Sequence, residues 1–191
     1  MHKLTEIRWH ARAGQGAVTA AKVVAETALS AGKYMQAMPE YGPERMGAPI
    51  KAFTRISDGP IEIHNNIEFP DVVIVLDASL LEVVNCIEGL SEEGMVIVNT
   101  CSPAEEVKAA LGVSASVQVA CVDASGIAYD TIKRDIPNTP IVGAFCKVSD
   151  VIDVHTFKDL LARSLGKKFG PKMVDANHAA IDRAYEEVTL A

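Results

Sequence analysis

Two glycine-rich turns near the start of the chain hold the residue types best suited to bind a ligand. The first turn, residues 12–16, reads RAGQG and lies between a strand-like apolar run and a helical pattern. The first amides of a helix lack intrahelical partners and lie at the positive end of its dipole, so they attract phosphates. Gly14 and Gly16 have no Cβ and allow a ligand close to the backbone, while Arg12 adds a positive charge. The turn therefore predicts an anion contact.

A simpler interpretation of the first turn is that its glycines only allow a strand to meet a helix. A dinucleotide-binding fingerprint needs G-x-G-x-x-G and an acidic residue about 20 residues later. Thr19 stands in place of the third glycine, and the acidic position falls among Met35, Gln36 and Ala37. The sequence also lacks the G-x-x-x-x-G-K-[ST] pattern of a P-loop. The turn thus predicts anion binding without predicting an NAD-dependent enzyme.

The second turn, residues 39–49, holds three prolines and two glycines in eleven residues, which is typical of a loop. Each proline fixes its own φ and restrains the residue before it, so the loop is stiff and loses little entropy on binding. We expect it to present Glu40, Tyr41, Glu44 and Arg45 in a set arrangement. The alternative is that Glu44 and Arg45 form a surface ion pair of little energetic value.

Together, the two turns resemble a known protein family. The resemblance is to the gamma subunit of pyruvate:ferredoxin oxidoreductase and, more broadly, to gamma subunits and domains of 2-oxoacid:acceptor oxidoreductases. It covers nearly the whole chain, whose length fits a free-standing gamma subunit. This chain departs from the family at Ala13, where glycine is usual, and at Met46, where arginine is frequent. The matching residues are 8–10, 12–21, 39–45, 47–49, 138–140 and 143–144.

The resemblance implies a complex that decarboxylates a 2-oxoacid, with pyruvate as first choice, and transfers the acyl group to coenzyme A. Thiamine diphosphate, Mg²⁺ and iron–sulfur clusters are expected in partner alpha, beta and delta (ferredoxin-like) subunits, with ferredoxin as electron acceptor. The gamma subunit is expected to complete the active-site pocket and help bind coenzyme A, without catalytic or metal-binding residues of its own. The candidate cofactor-binding residues are Arg12, Gly14, Gln15, Gly16 and Arg45.

Composition excludes several other classes of protein. The 191 residues suit one domain, predicted to span residues 1–191, and an apolar share of 49% allows a buried core. The formal charge of −7 argues against general nucleic-acid binding, which needs a basic surface. The chain lacks an apolar run of about 18 residues that would predict a membrane span. It also lacks a signal-peptide core, so we expect a cytoplasmic protein.

Neither the cysteines nor the histidines form a metal-binding pattern. Cys86, Cys101, Cys121 and Cys146 include no C-x-x-C pair, so an iron–sulfur or zinc site built by this chain is not expected. Cys86 and Cys121, which lie in or just after apolar runs, are predicted to be buried. Burial is also predicted for Cys101 at a strand end, with a reactive thiol as the alternative. The five histidines are scattered and include no H-x-x-x-H pair.

Strand-like and helical patterns alternate along the chain and predict a three-layer α/β/α domain with a mixed, largely parallel central sheet. The turn signal at Asp58-Gly59-Pro60 predicts that strands 50–57 and 61–64 form a hairpin, which would place Lys51, Arg55 and Glu62 on one face. That face is either solvated, in contact with another subunit, or a basic wall of the pocket. Further strands are predicted at 4–10, 34–38, 71–77, 95–99 and 117–122, and helices at 17–31, 80–88, from 103, 124–134, 141–148, 156–165 and 173–188.

Ligands of such sheets bind at the carboxyl ends of the strands. Asp77, residues 99–102 and residues 123–125 lie there, although helix capping accounts for most of them. Ser79 is predicted to cap helix 80–88, and Asp123 to cap helix 124–134. Residues 166–172 are predicted to be a lysine-rich, solvated connector between the last two helices, with a basic lip of the site as the alternative.

Three functional hypotheses follow. The first is a non-catalytic gamma subunit of a 2-oxoacid:ferredoxin oxidoreductase, based on the paired turns and on the lack of a self-sufficient catalytic set. The second is a stand-alone nucleotide-binding enzyme, based on the strand–turn–helix unit alone. The third is a purely structural assembly subunit. The sequence does not distinguish pyruvate, 2-oxoisovalerate, 2-oxoglutarate and indolepyruvate as the substrate.

Overall fold

One mixed sheet of seven strands runs through residues 2–40 and 46–191, which are the residues that the computed structural model describes. Its strand order is β2-β3-β1-β4-β5-β6-β7. The central strands β1, β4, β5 and β6 are parallel, β3 lies antiparallel between β1 and β2, and β7 is antiparallel to β6. The strands are β1 (Leu4–Arg12), β2 (Tyr34–Glu40), β3 (Pro49–Ser57), β4 (Val72–Val75), β5 (Met95–Asn99), β6 (Gln118–Val122) and β7 (Thr189–Leu190).

Helices cover both faces of the sheet, but unequally. One face packs against α1, α3, α4, α5 and α6, which we call the large helical layer, and the other packs against α2 and a short 3₁₀ turn, Ala78–Glu82. The predicted α/β fold with a mixed sheet is confirmed. The helices are α1 (Ala17–Ser30), α2 (Ala104–Leu111), α3 (Ala124–Ile132), α4 (Asn138–Val148), α5 (Val154–Phe169) and α6 (Pro171–Glu187).

The first helix lies close to the sheet because its buried face is built largely from alanine, which is small and favours helix. A hydrogen-bonded bridge fixes its position. The indole Nε1 of Trp9 in β1 donates to Oγ1 of Thr54 in β3 at 3.1 Å, and this hydroxyl donates to the carbonyl oxygen of Ala21 in α1 at 3.1 Å. The bridge joins β1, β3 and α1 and so holds the start of α1 at the end of β1.

The predicted hairpin is wrong. Residues 61–64 form no strand and are mostly exposed. The reason is that β3 pairs with β1 along one edge and with β2 along the other, which leaves no edge free for residues 61–64. The sheet is nevertheless mixed, because β3 is antiparallel to both neighbours.

The helix predicted over residues 80–88 is also wrong, since only the short 3₁₀ turn forms there. Beyond this turn, the amides of Cys86 and Glu88 donate to the carbonyls of Val84 and Asn85, only two and three residues back, and Nη2 of Arg8 holds this non-helical path by donating to the carbonyls of Cys86 and Glu88. Ser79 does not act as the cap. The carboxylate of Asp77 caps the turn by accepting a hydrogen bond from the backbone N–H of Ser79 at 3.1 Å.

The last two helices are longer than predicted and absorb the lysine-rich segment 166–172. Only Gly170 separates them, with φ of +79°, and Pro171 begins α6, where its missing N–H costs nothing. The predicted cap of α3 is confirmed, because Oδ1 of Asp123 accepts a hydrogen bond from the N–H of Gly126 at 2.8 Å.

Candidate functional site

The turn between β1 and α1 has a backbone conformation that suits glycine. Gly14 and Gly16 have φ of +106° and +83°, which other residues adopt only with strain. A Cβ on Gly16 would lie 2.6 Å from Nδ2 of Asn138, the first residue of α4. Gly16 is therefore required both by its φ and by the side chain packed against it.

The two turns that the sequence treats separately lie side by side. The N–H of Ala13 donates to the carbonyl of Ala48 at 2.9 Å, and the N–H of Gly47 donates to the carbonyl of Ala13 at 3.2 Å. Nη1 of Arg12 donates to the carbonyl of Gly47 at 3.1 Å. These three hydrogen bonds form a clip between the two turns. Ala13 takes part in the clip through its backbone, so alanine in place of glycine costs the turn no hydrogen bond.

Arg12 is held in place by two neighbours from the end of β4. Its Nε lies 3.3 Å from Oδ2 of Asp77, and its Nε and Nη2 donate to Oγ of Ser79 at 3.2 and 2.8 Å. Gln15 closes the network, because its Oε1 accepts from the N–H of Arg12 at 2.8 Å and its Nε2 donates to Oδ2 of Asp77 at 2.9 Å. The side chain of Arg12 remains 32% exposed, so the guanidinium can still meet a ligand.

This network stabilises the charged form of the Asp77 carboxyl group. Partial burial works to raise its pKa, but hydrogen bonds from Ser79 and Gln15 and the charge of Arg12 outweigh burial and hold the pKa below its usual value. The carboxylate balances the charge of Arg12 and orients it toward the turn. Gly16 is the N-cap residue of α1 and has no side chain to cap it, so the first amides of the helix are not bonded by a capping side chain.

Other polar residues at the strand ends hold the fold together. Nδ2 of Asn99 donates to the carbonyl of Leu76 at 2.9 Å and to Oγ of Ser125 at 3.0 Å, and its Oδ1 accepts from the N–H of Ser125 at 3.1 Å. This explains why Asn99 is buried. These contacts and the cap by Asp123 use the side chains structurally, as the capping interpretation predicts.

The prediction that Cys101 is buried is wrong, because its side chain is exposed in the loop that precedes α2. A hydrogen bond with Asp123 and the charge of this carboxylate raise the pKa of the Cys101 thiol, which makes it less nucleophilic. Cys86 and Cys121 are buried as predicted, and Cys146 is buried as well. Burial raises the pKa of Cys86 and Cys121 to about 11 and that of Cys146 to about 12.

The charged face of β1 and β3 is less solvated than the sequence indicates. Arg55 is 1% exposed, with Nε 2.7 Å from Oε1 of Glu6 and Nη1 donating to the carbonyl of Asn65 at 2.9 Å. Nε of Arg8 donates to Nε2 of His10 at 3.2 Å, and burial together with the charge of Arg8 lowers the pKa of His10 to about 3. These side chains cross-link the sheet to the loops that cover it.

Four of the five predicted cofactor-binding residues lie together, namely Arg12, Gly14, Gln15 and Gly16. The fifth, Arg45, lies outside the described residues, as do Tyr41 and Glu44. Sequence reasoning missed the contact between Asn138 and Gly16 and the pairing of Asp77 with Arg12. The signals were present, since Asp77 follows a strand and residues 138–140 belong to the resemblance.

The described residues include no group of three or more histidine, cysteine or acidic side chains placed to hold a metal ion. In the same part of the chain, every helix is too short or too polar to cross a membrane.

Comparison with known proteins identifies the family. The family described as pyruvate ferredoxin/flavodoxin oxidoreductase matches residues 6–187. Pyruvate synthase subunit PorC of Thermotoga maritima is 48% identical over 97% of this chain and 95% of its own length. The common gamma subunit of the pyruvate/ketoisovalerate oxidoreductases of Pyrococcus furiosus is 44% identical over 98% of both chains.

Solved structures agree with the sequence comparison. The crystal structure of the pyruvate oxidoreductase subunit PORC from Thermotoga maritima superposes with a TM-score of 0.85 at 44% identity, over 99% of both chains. The 2-oxoglutarate:ferredoxin oxidoreductase of Magnetococcus marinus shares the fold, with a TM-score of 0.78 at 18% identity over 96% of this chain and 31% of that one. The chain therefore belongs to the pyruvate ferredoxin/flavodoxin oxidoreductase family.

Proposed function

We propose that this chain is the gamma subunit of a cytoplasmic 2-oxoacid:ferredoxin oxidoreductase, with pyruvate as the first substrate to test. The observation that carries the proposal is the sequence identity, over nearly the full length of this chain, between it and proteins named as PorC and gamma subunits. In this proposal the complex converts a 2-oxoacid, coenzyme A and oxidised ferredoxin into acyl-coenzyme A, carbon dioxide and reduced ferredoxin. Thiamine diphosphate, Mg²⁺ and iron–sulfur clusters belong to the partner alpha, beta and delta subunits.

The role proposed for this chain is to hold the phosphates of coenzyme A at the turn before α1. The uncapped start of α1, the lack of a Cβ at Gly14 and Gly16, and the half-exposed guanidinium of Arg12 support it. The 2-oxoglutarate:ferredoxin oxidoreductase of Magnetococcus marinus has been solved with 2-oxoglutarate, coenzyme A and succinyl-coenzyme A bound, which makes coenzyme A the ligand to test here.

The residues of the turn have different tasks in this proposal. Arg12 contacts the phosphates, since its guanidinium is exposed on one side. Gln15 positions Arg12 and the turn, because its amide oxygen and nitrogen are already bonded to the backbone of Arg12 and to Asp77. Asp77 balances the charge of Arg12 until the ligand arrives and fixes the direction in which the guanidinium points.

The test is an Arg12→Ala variant in the assembled complex. We expect the apparent KM for coenzyme A to rise about tenfold or more, because a hydrogen bond to a charged group contributes about 1.5–3 kcal/mol and 1.4 kcal/mol is tenfold. The KM for the 2-oxoacid should stay unchanged. Steady-state kinetics with both substrates measure this split.

The matched control is Arg183→Ala, which removes the same charge from α6, where Arg183 pairs with Asp130 and Glu187. It should leave both KM values unchanged. An unchanged KM for coenzyme A in Arg12→Ala, in a complex of normal composition, removes Arg12 from the site. Arg45→Ala is the corresponding variant of the second turn.

A purely structural role is the alternative that one observation favours, because Arg12 is already bonded to Asp77, Ser79 and the carbonyl of Gly47. In that case substitutions in the turn would disrupt assembly or lower the unfolding temperature, while coenzyme A kinetics of the remaining complex stayed normal. Measuring complex yield and KM on the same preparations separates the two roles.

A further inference from the structure

A largely apolar cavity of about 260 Å³ lies in the large helical layer. Its walls come from the first turn of α1, the segment between α3 and α4, and the facing ends of α5 and α6. The apolar side chains that line it are Ile132, Ile136, Leu161, Leu165, Phe169 and Met173. This lining is typical of a small-molecule site, in which a few polar groups fix the orientation of an apolar ligand, and the volume suits one part of a ligand better than a whole one.

The side chain of Asn138 contacts both this cavity and the turn before α1. Asn138 lines the cavity, and its Nδ2 lies 2.6 Å from the position of a Cβ on Gly16. Thr19, in the first turn of α1, lines the cavity mouth and is exposed. The turn and the cavity therefore share a wall at Asn138 and the first turn of α1, so a ligand bound at the turn lies next to the cavity.

Asn177 provides a hydrogen-bond acceptor inside the cavity. The residue is 5% exposed, and its Nδ2 donates to the carbonyl of Met173 at 2.8 Å. No described residue donates a hydrogen bond to its Oδ1. Among the described residues, every fully buried polar side-chain atom has a hydrogen-bond partner, so Oδ1 is not fully buried. Oδ1 therefore keeps accessible surface, and the cavity that Asn177 lines provides it. A buried acceptor of this kind is best satisfied by an N–H or O–H group of a ligand.

We infer that this cavity receives an apolar, hydrogen-bond-donating part of the ligand whose phosphates lie on the turn, with Oδ1 of Asn177 accepting the hydrogen bond. The inference rests on the proposed role of the chain in binding coenzyme A. Two parts of coenzyme A have this chemistry, the adenine base with its amino group and the pantetheine arm with its amide N–H groups. Both are joined to the same pyrophosphate.

The experiment compares Asn177→Leu with the wild type in the assembled complex. Leucine has the same number and branching of side-chain heavy atoms as asparagine, although its methyl groups are bulkier, and it accepts no hydrogen bond. Adenosine 3′,5′-bisphosphate, 4′-phosphopantetheine and pyrophosphate are each tested as inhibitors competing with coenzyme A. We expect the inhibition constant of the fragment that enters the cavity to rise about three- to tenfold, the effect of one hydrogen bond. The constants of the other fragment and of pyrophosphate should stay unchanged, and the affected fragment identifies the occupant.

A second variant tests the same inference if the complex that carries Asn177→Leu does not assemble. Thr19→Leu adds bulk at the exposed mouth of the cavity and should raise the inhibition constant of the same fragment. The matched control is Asn85→Leu, an exposed position outside the cavity, which should change none of the constants.

Two patterns of results would overturn the inference and remain distinguishable. Unchanged constants for both fragments in both cavity variants, with a raised KM for coenzyme A in Arg12→Ala, reject the cavity and keep the coenzyme A site at the turn. Unchanged kinetics in all three variants reject the coenzyme A site itself, and the cavity inference with it.

Discussion

At the scale of single residues, the candidate site depends on the contact between Gly16 and Asn138. Gly16 has φ of +83°, and the space that a Cβ would need is occupied by the side-chain amide of Asn138. The same amide forms part of the cavity wall. A substitution at Gly16 therefore acts on the turn and on the cavity together.

Gly32 offers a matched comparison for this contact. It ends the turn after α1 with φ of +82°, but a Cβ there would meet no atom within 4 Å. Gly16→Ala and Gly32→Ala should therefore share a backbone strain of about 1–2 kcal/mol, and only Gly16→Ala should also displace Asn138. We expect a lower unfolding temperature in both variants and a raised KM for coenzyme A only in Gly16→Ala. Equal KM values in the two variants would contradict the role of this contact.

The candidate site residues whose grouping the sequence predicts are those that lie close together along the chain. Arg12, Gly14, Gln15 and Gly16 share one turn, and the strand and helix on either side fix their arrangement. Their partners could not be predicted in the same way. The side chains of Gln15 and Asp77 meet although 62 positions separate them, and the contact between Gly16 and Asn138 depends on how α4 packs beside α1. The exposure of Cys101 was missed for the same reason, because burial of a loop residue depends on its tertiary neighbours.

At the scale of secondary-structure elements, the bridge through Thr54 is the contact that places α1 on the sheet. Its hydroxyl accepts from the indole of Trp9 and donates to the carbonyl of Ala21, and all of these groups are buried. Thr54→Val keeps the shape of the side chain but leaves the indole N–H without its partner. We expect a loss of about 1–3 kcal/mol in the free energy of unfolding, measured by chemical denaturation of the purified chain.

The control for this variant is Thr27→Val. The hydroxyl of Thr27 is also buried, but it donates to the carbonyl of Val23 one turn earlier in the same helix, where that carbonyl also takes part in the helical hydrogen bonds. Its loss should cost less than 1 kcal/mol, on the order of a weak local hydrogen bond. Similar losses in the two variants would mean that the bridge does not stabilise the packing of α1.

The two elements that the sequence predicts wrongly show the limit of local patterns. The turn signal at residues 58–60 is typical of a hairpin, but β3 pairs along both of its edges with other strands, β1 and β2. The helical pattern over residues 80–88 gives way to a series of turns, which the guanidinium of Arg8 holds by donating to the carbonyl groups of Cys86 and Glu88. In both cases a contact between residues distant along the chain overrides the local preference.

At the scale of the whole molecule, helices cover both faces of the sheet, while the candidate site at the start of α1 stays partly open to solvent. Five of the described helices cover one face of the sheet, and the turn, the clip to the second turn and the cavity all lie around the start of α1. The alternation of strands and helices was sufficient to predict this architecture. The match to gamma subunits extends along almost the entire chain, so the relation concerns the whole molecule and not one motif.

The central claim, that the chain works as a subunit, is tested most directly by purifying the tagged protein from its own cells under nitrogen. Mass spectrometry and an ultraviolet–visible spectrum are then recorded on the purified material. The account predicts that thiamine-binding and ferredoxin-like chains co-purify and that the sample carries a brown iron–sulfur chromophore. A colourless chain without partners would contradict the subunit assignment and favour a stand-alone nucleotide-binding enzyme.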